Sequence, residues 1–260
     1  MKPAGWVILA GIALVAALYF GFSNVPPAVS AFDDKRTSLL DSLELDNEET
    51  IRSLTQSLKG NPSDTVPMDS LSHIWYHLGY PDIAADYDRQ IADLKGHPEA
   101  YLMAGNSFYG AFPSDTSQTI QVNLVYGARY CFEKVLELDP GNLDARIGLA
   151  RVFVQGTNEP MKGIGMLREL DAEYPENPDV NMELGRFSMM SGQYDRAISR
   201  FLTVLNKDSL NLQAHFLLAE SYMAVGDTLL TIETLEKTRG LTGDPVLDAQ
   251  VRQYIESLTN

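Results

Sequence analysis

One cysteine, Cys131, is all that 260 residues contain, and basic side chains are too few to balance the acids. A lone thiol excludes an internal disulfide and any zinc site built on cysteines. Twenty Lys and Arg stand against 35 Asp and Glu, a net charge of −15. Only Lys2 precedes Asp33, so the remainder carries 19 basic against 35 acidic side chains, net −16. Such a surface repels nucleic-acid backbones and is poorly matched to anionic lipid headgroups. Phosphate-cradling GxxxxGK[ST], GxGxxG after a strand and the GxSxG nucleophile turn are all missing. His73 and His77 are four apart and could share a metal on one helical face, but no third ligand stands at a predictable place; they read as solvent-facing or packing residues. Pairs such as Asp33-Asp34 and Glu48-Glu49 are what so acidic a surface contains, the second lying where acids complement a helix start. The sequence assigns no catalytic residue, no metal and no cofactor.

Long hydrophobic runs are also scarce, with one exception. In "MKPAGWVILAGIALVAALYFGFSNVPP" no charge follows Lys2 until Asp33, and Ala4–Phe22 is continuously apolar or small. Nineteen helical residues rise roughly 28 Å, close to the hydrocarbon thickness of a bilayer. Trp6, Tyr19, Phe20 and Phe22 sit near its ends, as in an interfacial aromatic belt. Residues 1–24 are therefore expected to form an uncleaved transmembrane anchor. The competing reading is a signal peptide cleaved near the small residues Ala28–Ala31, although signal cores are usually shorter. Lys2 and the amino terminus favour a cytoplasmic N-terminus, while Lys35 and Arg36 follow on the far side. They lie more than ten residues beyond the span, so the soluble part is expected on the extracytoplasmic, periplasmic side.

The rest of the chain repeats. Gly192 and Gly226 are 34 residues apart, as are Leu184 and Leu218, and Phe201 and Leu235. Leu149, Leu167 and Pro175 precede Leu184, Phe201 and Ser209 by 35, 34 and 34, and Ala128, Phe132 and Pro140 precede Gly163, Leu167 and Pro175 by 35 each. A period of this length marks a stacked array of supersecondary units. In "GARYCFEKVLELDPGN" the residues Ala128, Phe132, Val135 and Leu136 form an inward stripe at helical spacing. Cys131 has no histidine or basic cluster beside it to lower its pKa, so it reads as architecture.

These units resemble the tetratricopeptide repeat (TPR). The resemblance rests on Leu184-Gly185, Gly192-Gln193-Tyr194, Ala197 with Phe201, and the closing Pro140 and Pro175. It implies an all-α fold, a right-handed TPR superhelix, preceded by the one transmembrane helix that the N-terminal run predicts. Its parts are an anchor (1–24), a linker and lead-in helix (25–46), irregular helical hairpins (47–97), a TPR array (98–243) and a capping helix (244–260). Leu71, Ile74, Trp75 and Leu78 are expected inward in the hairpin at Met68–Leu94. The stretch Phe112–Leu124 intrudes as a long loop or a lengthened second helix.

The resemblance also implies a concave groove lined by the first helix of each hairpin. Carried over by position, the lining is Leu102, Met103, Asn106 and Tyr109; then Ile147, Arg151 and Val154; then Met182, Glu183, Arg186, Met189 and Met190; then Phe216, Leu217, Glu220 and Met223. Methionines and aromatics make an adaptable apolar floor, and Arg151 and Arg186 stand one repeat apart as positive steps. The competing reading has the methionines sealing adjacent hairpins and the arginines reaching to solvent. TPR grooves that grip a chaperone's C-terminal carboxylate use lysines and asparagine; only Asn106 fits, and Leu102 stands where a lysine is expected. From Ile51 onward the order of elements also resembles the TPR module of c-type cytochrome biogenesis proteins, which holds apocytochrome, although fuller members of that family have two spans. The expected function is a non-catalytic, membrane-anchored adaptor or assembly factor with a protein or peptide partner, no nucleic acid, and the membrane engaged through the N-terminal helix; a structural subunit of a membrane complex is the further alternative.

Overall fold

A computed structural model of the chain describes residues 30–42 and 47–259. The expected membrane span lies outside the described residues, and none of the described helices is long and apolar enough to cross a membrane. Among the described residues there are thirteen α-helices, one 3-10 turn and no strand. Residue contacts divide the chain into two units that meet at Pro140 and Gly141.

The first unit holds helices α1 (Ser30–Ser42), α2 (Glu48–Gly60), α3 (Thr65–His77), α4 (Pro81–Lys95), α5 (Pro98–Gly110) and α6 (Gln118–Leu138). Hairpin α3–α4 turns at Gly79, whose φ of 86° is open only to glycine at little cost. Leu71 and Trp75 are fully buried there, with Ile74 and Leu78 packed at the edge of the same cluster as Ile51 and Ile83. The intrusion in the next hairpin proves to be a lengthened second helix. A 3-10 turn at Phe112–Ser114 leads into the 21-residue α6, and the Gln121 amide donates to the carbonyls of Phe112 (2.6 Å) and Asp115. Along α6, Ala128, Cys131, Phe132 and Val135 are buried.

The lead-in helix α1 docks on this unit through charge as well as packing. Phe32 is buried, its ring centroid 6.0 Å from that of Phe108. Lys35 Nζ lies 2.7 Å from both Asp82 and Asp115, and Arg36 stacks 4.6 Å above the Tyr87 ring while reaching Asp86.

The second unit holds hairpins α7 (Leu143–Gly156) with α8 (Pro160–Glu173), α9 (Pro178–Met190) with α10 (Tyr194–Lys207), and α11 (Leu212–Ala224) with α12 (Thr228–Glu236), then α13 (Pro245–Thr259). Each first helix starts on an asparagine: Asn142, Asn177 and Asn211 accept the backbone N–H of Ala145, Val180 and Ala214 at 2.9–3.0 Å. A side-chain acceptor at this position satisfies one of the orphan donors of the first turn, worth roughly 1 kcal/mol. Small residues face large ones where two helices of a hairpin press together, as Gly185 does against Phe201 and, in the first unit, Gly105 against Phe132. Val251 and Ile255 of α13 close the stack against Ala219 and Leu235.

Candidate functional site

The first helices of the second unit bring Arg151 and Arg186 to one place, but not as the free positive steps their spacing suggests. Between them α9 inserts Glu183, only 7% exposed. Its Oε1 lies 3.8 Å from Arg151 Nη1 and 4.0 Å from Arg186 Nε, and its Oε2 has no hydrogen-bond partner among the described residues. Two guanidinium groups thus share one carboxylate, leaving a single net positive charge. Burial pushes the Glu183 carboxyl above its ordinary value near 4.5, while Arg151 and Arg186 oppose the shift and Asp179 adds to it. A carboxyl that holds its proton more tightly when folded adds stability below the unfolded value and loses it as pH rises through the folded one. Glu183→Gln removes that titration. Thermal melts of the two proteins across pH 4 to 7 should therefore diverge, the parent losing stability relative to the variant as pH rises; parallel curves would refute this reading.

Other expected lining residues divide into two groups. Ile147 and Met182 are buried in the packing between helices, and Val154 turns towards α8, near Gly163. Met189 packs at the edge of the α9–α11 core with Leu217, while Met190 is 68% exposed. Phe216, Glu220 and Met223 come together around a largely apolar cleft of about 370 Å³, completed by Gln250, Val251 and Tyr254 of α13. The contribution of α13 has a sequence signal, since Val251, Tyr254 and Ile255 fall at helical spacing.

In the first unit Asn106 lines a cavity of about 930 Å³ with Asp69, Ser72, His73, Tyr76 and Asp88. Ser72 Oγ donates to Asp88 at 2.6 Å. Met103 is 70% exposed, Leu102 half-buried, and the Tyr109 ring lies 5.1 Å from Phe112. The polar side chains supplied by α3 were not expected; α3 is itself the first helix of a hairpin, so its outward positions carry the same meaning as those of α5. His73 and His77 are exposed and meet edge to face, ring centroids 4.3 Å apart. Among the described residues no three His, Cys, Asp or Glu side chains converge as metal ligands. Cys131 is completely buried, and desolvation pushes its thiol far above the range of a nucleophile, although Arg89 opposes the shift.

No protein-family model matches the chain, and no curated protein matches it in sequence. Solved structures do. A tetratricopeptide repeat protein from Parabacteroides merdae is 17% identical with a TM-score of 0.57, over 98% of this chain and 96% of that one. A thermophilic TPR protein from Thermus thermophilus is 16% identical with a TM-score of 0.53, over 75% of this chain and 99% of that one. Identity this low speaks for the fold alone: the chain folds as a TPR-like, all-helical repeat protein.

Proposed function

We propose that the protein is a non-catalytic adaptor or assembly factor that holds an apolar segment of a partner protein on the first-helix faces of its hairpins. One observation carries the reading: the cleft formed by Phe216, Glu220, Met223 and Tyr254 is apolar, accessible and left uncovered by the chain's own described segments. Methionine and aromatic side chains adapt to varied apolar ligands, and the acid at the rim, Glu220, orients them. Residues 1–24 anchor this body to a membrane, with the helical part on the extracytoplasmic side. Because Phe32 is buried in the first unit and Lys35 is paired with Asp82, only residues 25–31 separate anchor from body, and seven residues reach at most about 25 Å. A body held that close to the bilayer meets membrane-complex partners at high effective concentration, so modest affinity suffices. The finer role of holding apocytochrome, suggested by the order of elements, would show in the identity of the partner.

The reading is tested with a photo-crosslinking amino acid placed at Met223 or Met190, and at Leu202 or Leu229 on second helices, both exposed. In intact cells the first two positions should trap a discrete partner and the last two should not. Crosslinks from Leu202 and Leu229 alone would move the contact to the second-helix side and reject the proposal.

A further inference from the structure

A third pocket, within the second unit, has chemistry of its own. Helices α8, α9 and α10 enclose a cavity of about 500 Å³. Ile164, Leu184 and Phe187 make its floor, and Arg168 and Arg196 stand at its rim. A third lining arginine, Arg200, is fully engaged: its guanidinium grips Asp171 at 2.5 and 2.8 Å and Asn181 at 2.9 Å. Arg168 and Arg196 form no ion pair among the described residues, and Arg196 donates only to the neutral amide oxygen of Gln193. Nine of the twelve described arginines pair with a carboxylate, and Arg252 is the third that does not. A guanidinium pairs readily with carboxylates, so Arg168 and Arg196 are available to an outside one. Two of the three serine hydroxyls at the rim are already used. Ser188 donates to the Leu184 carbonyl at 2.8 Å and Ser191 to the Phe187 carbonyl at 2.9 Å, so their protons are spent within α9. The charged donors left at the cavity are guanidinium groups, which favour a planar oxyanion held by paired N–H bonds, beside the neutral Ser199 hydroxyl and Gln193 amide.

We propose that this pocket is a second docking site, independent of the first-helix face, for a partner segment in which a carboxylate side chain adjoins a large apolar one. Arg168 and Arg196 take the carboxylate while the apolar neighbour enters above Leu184 and Phe187. Charge complementarity selects that occupant: a second copy of so acidic a chain is disfavoured overall, and a purely apolar segment would leave both guanidinium groups unmatched.

The test is fluorescence anisotropy with the full chain and a labelled peptide of alternating glutamate and leucine. The same peptide carrying glutamine or phosphoserine at the acidic positions gives the comparison arms. Arg168→Gln with Arg196→Gln should weaken glutamate-peptide binding by about tenfold or more, and added salt should do the same, as charge-assisted contacts at a rim require. Neither arginine supports the fold through an ion pair, so the melting temperature should hold. Met161→Glu, at a rim position 67% exposed, should weaken binding by repulsion. Equal affinity of parent and double variant, equal binding of the glutamine peptide, or binding confined to the phosphoserine peptide would each overturn the proposal.

Discussion

Replacing Gly163 with alanine is expected to cost about 3 kcal/mol of stability, the upper part of the range for overpacking a closed interface. The new methyl carbon would sit 2.4 Å from the carbonyl oxygen of Ala150, 2.6 Å from Val154 Cγ2 and 3.0 Å from Phe153 Cβ. The nearest of these atoms is backbone, so no rotamer change removes the clash; α7 and α8 must separate. Gly185→Ala meets a different obstacle, the buried Phe201 ring, 2.5 Å from the added carbon. There the cost should be about 2 kcal/mol, and Phe201→Leu should recover part of it by freeing ring volume. Trimming Val154 to alanine should not rescue Gly163→Ala. Urea denaturation of the five proteins checks this. An unaltered midpoint for Gly163→Ala would mean that the two helices do not approach as described.

Lys35→Ala is expected to destabilise the first unit by about 3 kcal/mol, because it strips the partner from a buried carboxylate. Asp82 is 0% exposed, its Oδ2 is paired at 2.7 Å with Lys35, and its Oδ1 has no hydrogen-bond partner among the described residues. Burial alone would lower the Lys35 pKa, but hydrogen bonds and charge from Asp115 and Asp82 raise it, so the ammonium stays charged. The place of Asp82 in the first turn of α4 softens the loss, since a helix N-terminus favours negative charge. Lys35→Ala with Asp82→Asn should recover most of the loss, a neutral amide being far less costly to bury. Release of α1 is the expected mode of failure, visible as faster hydrogen exchange across residues 31–41 and faster tryptic cleavage at Arg36. Unchanged protection of α1 in Lys35→Ala would contradict the clamp.

Repeat length, turn glycines and inward stripes were legible because they follow from local rules. A 34-residue period, a glycine where φ must be positive and a small residue opposite a large one each leave a mark in one dimension. Asn142, Asn177 and Asn211 also recur at the repeat spacing, and the cap geometry explains why, although their meaning shows only once each helix start is placed. The fate of Arg151 and Arg186 was not legible in the same way. Spacing places them one repeat apart, but the pairing with Glu183 depends on how far α9 sinks towards α7, which is a packing outcome. It also determines how the arginines respond to substitution. Charge reversal at both arginines would crowd three carboxylates together and unfold the region, whereas glutamine at both removes charge without repulsion. Ile147, Met182 and Val154 illustrate the limit of positional transfer: a helix face about 100° wide holds both lining and packing residues, and a one-position rotation exchanges them. The arginine pocket on α8 and α10 escaped the sequence entirely, since its lining comes from three helices and no repeat position marks it.

Binding of another protein's segment in the uncovered apolar cleft at Phe216, Met223 and Tyr254 is the proposal on which the functional reading depends. It is tested most directly by isolating the full-length chain from detergent-solubilised membranes, with and without Met223→Glu, and quantifying co-isolated proteins by mass spectrometry. A partner present in near-stoichiometric amount with the parent and lost from the variant, at matched melting temperature, is the result expected. The same partner recovered equally with both would contradict it.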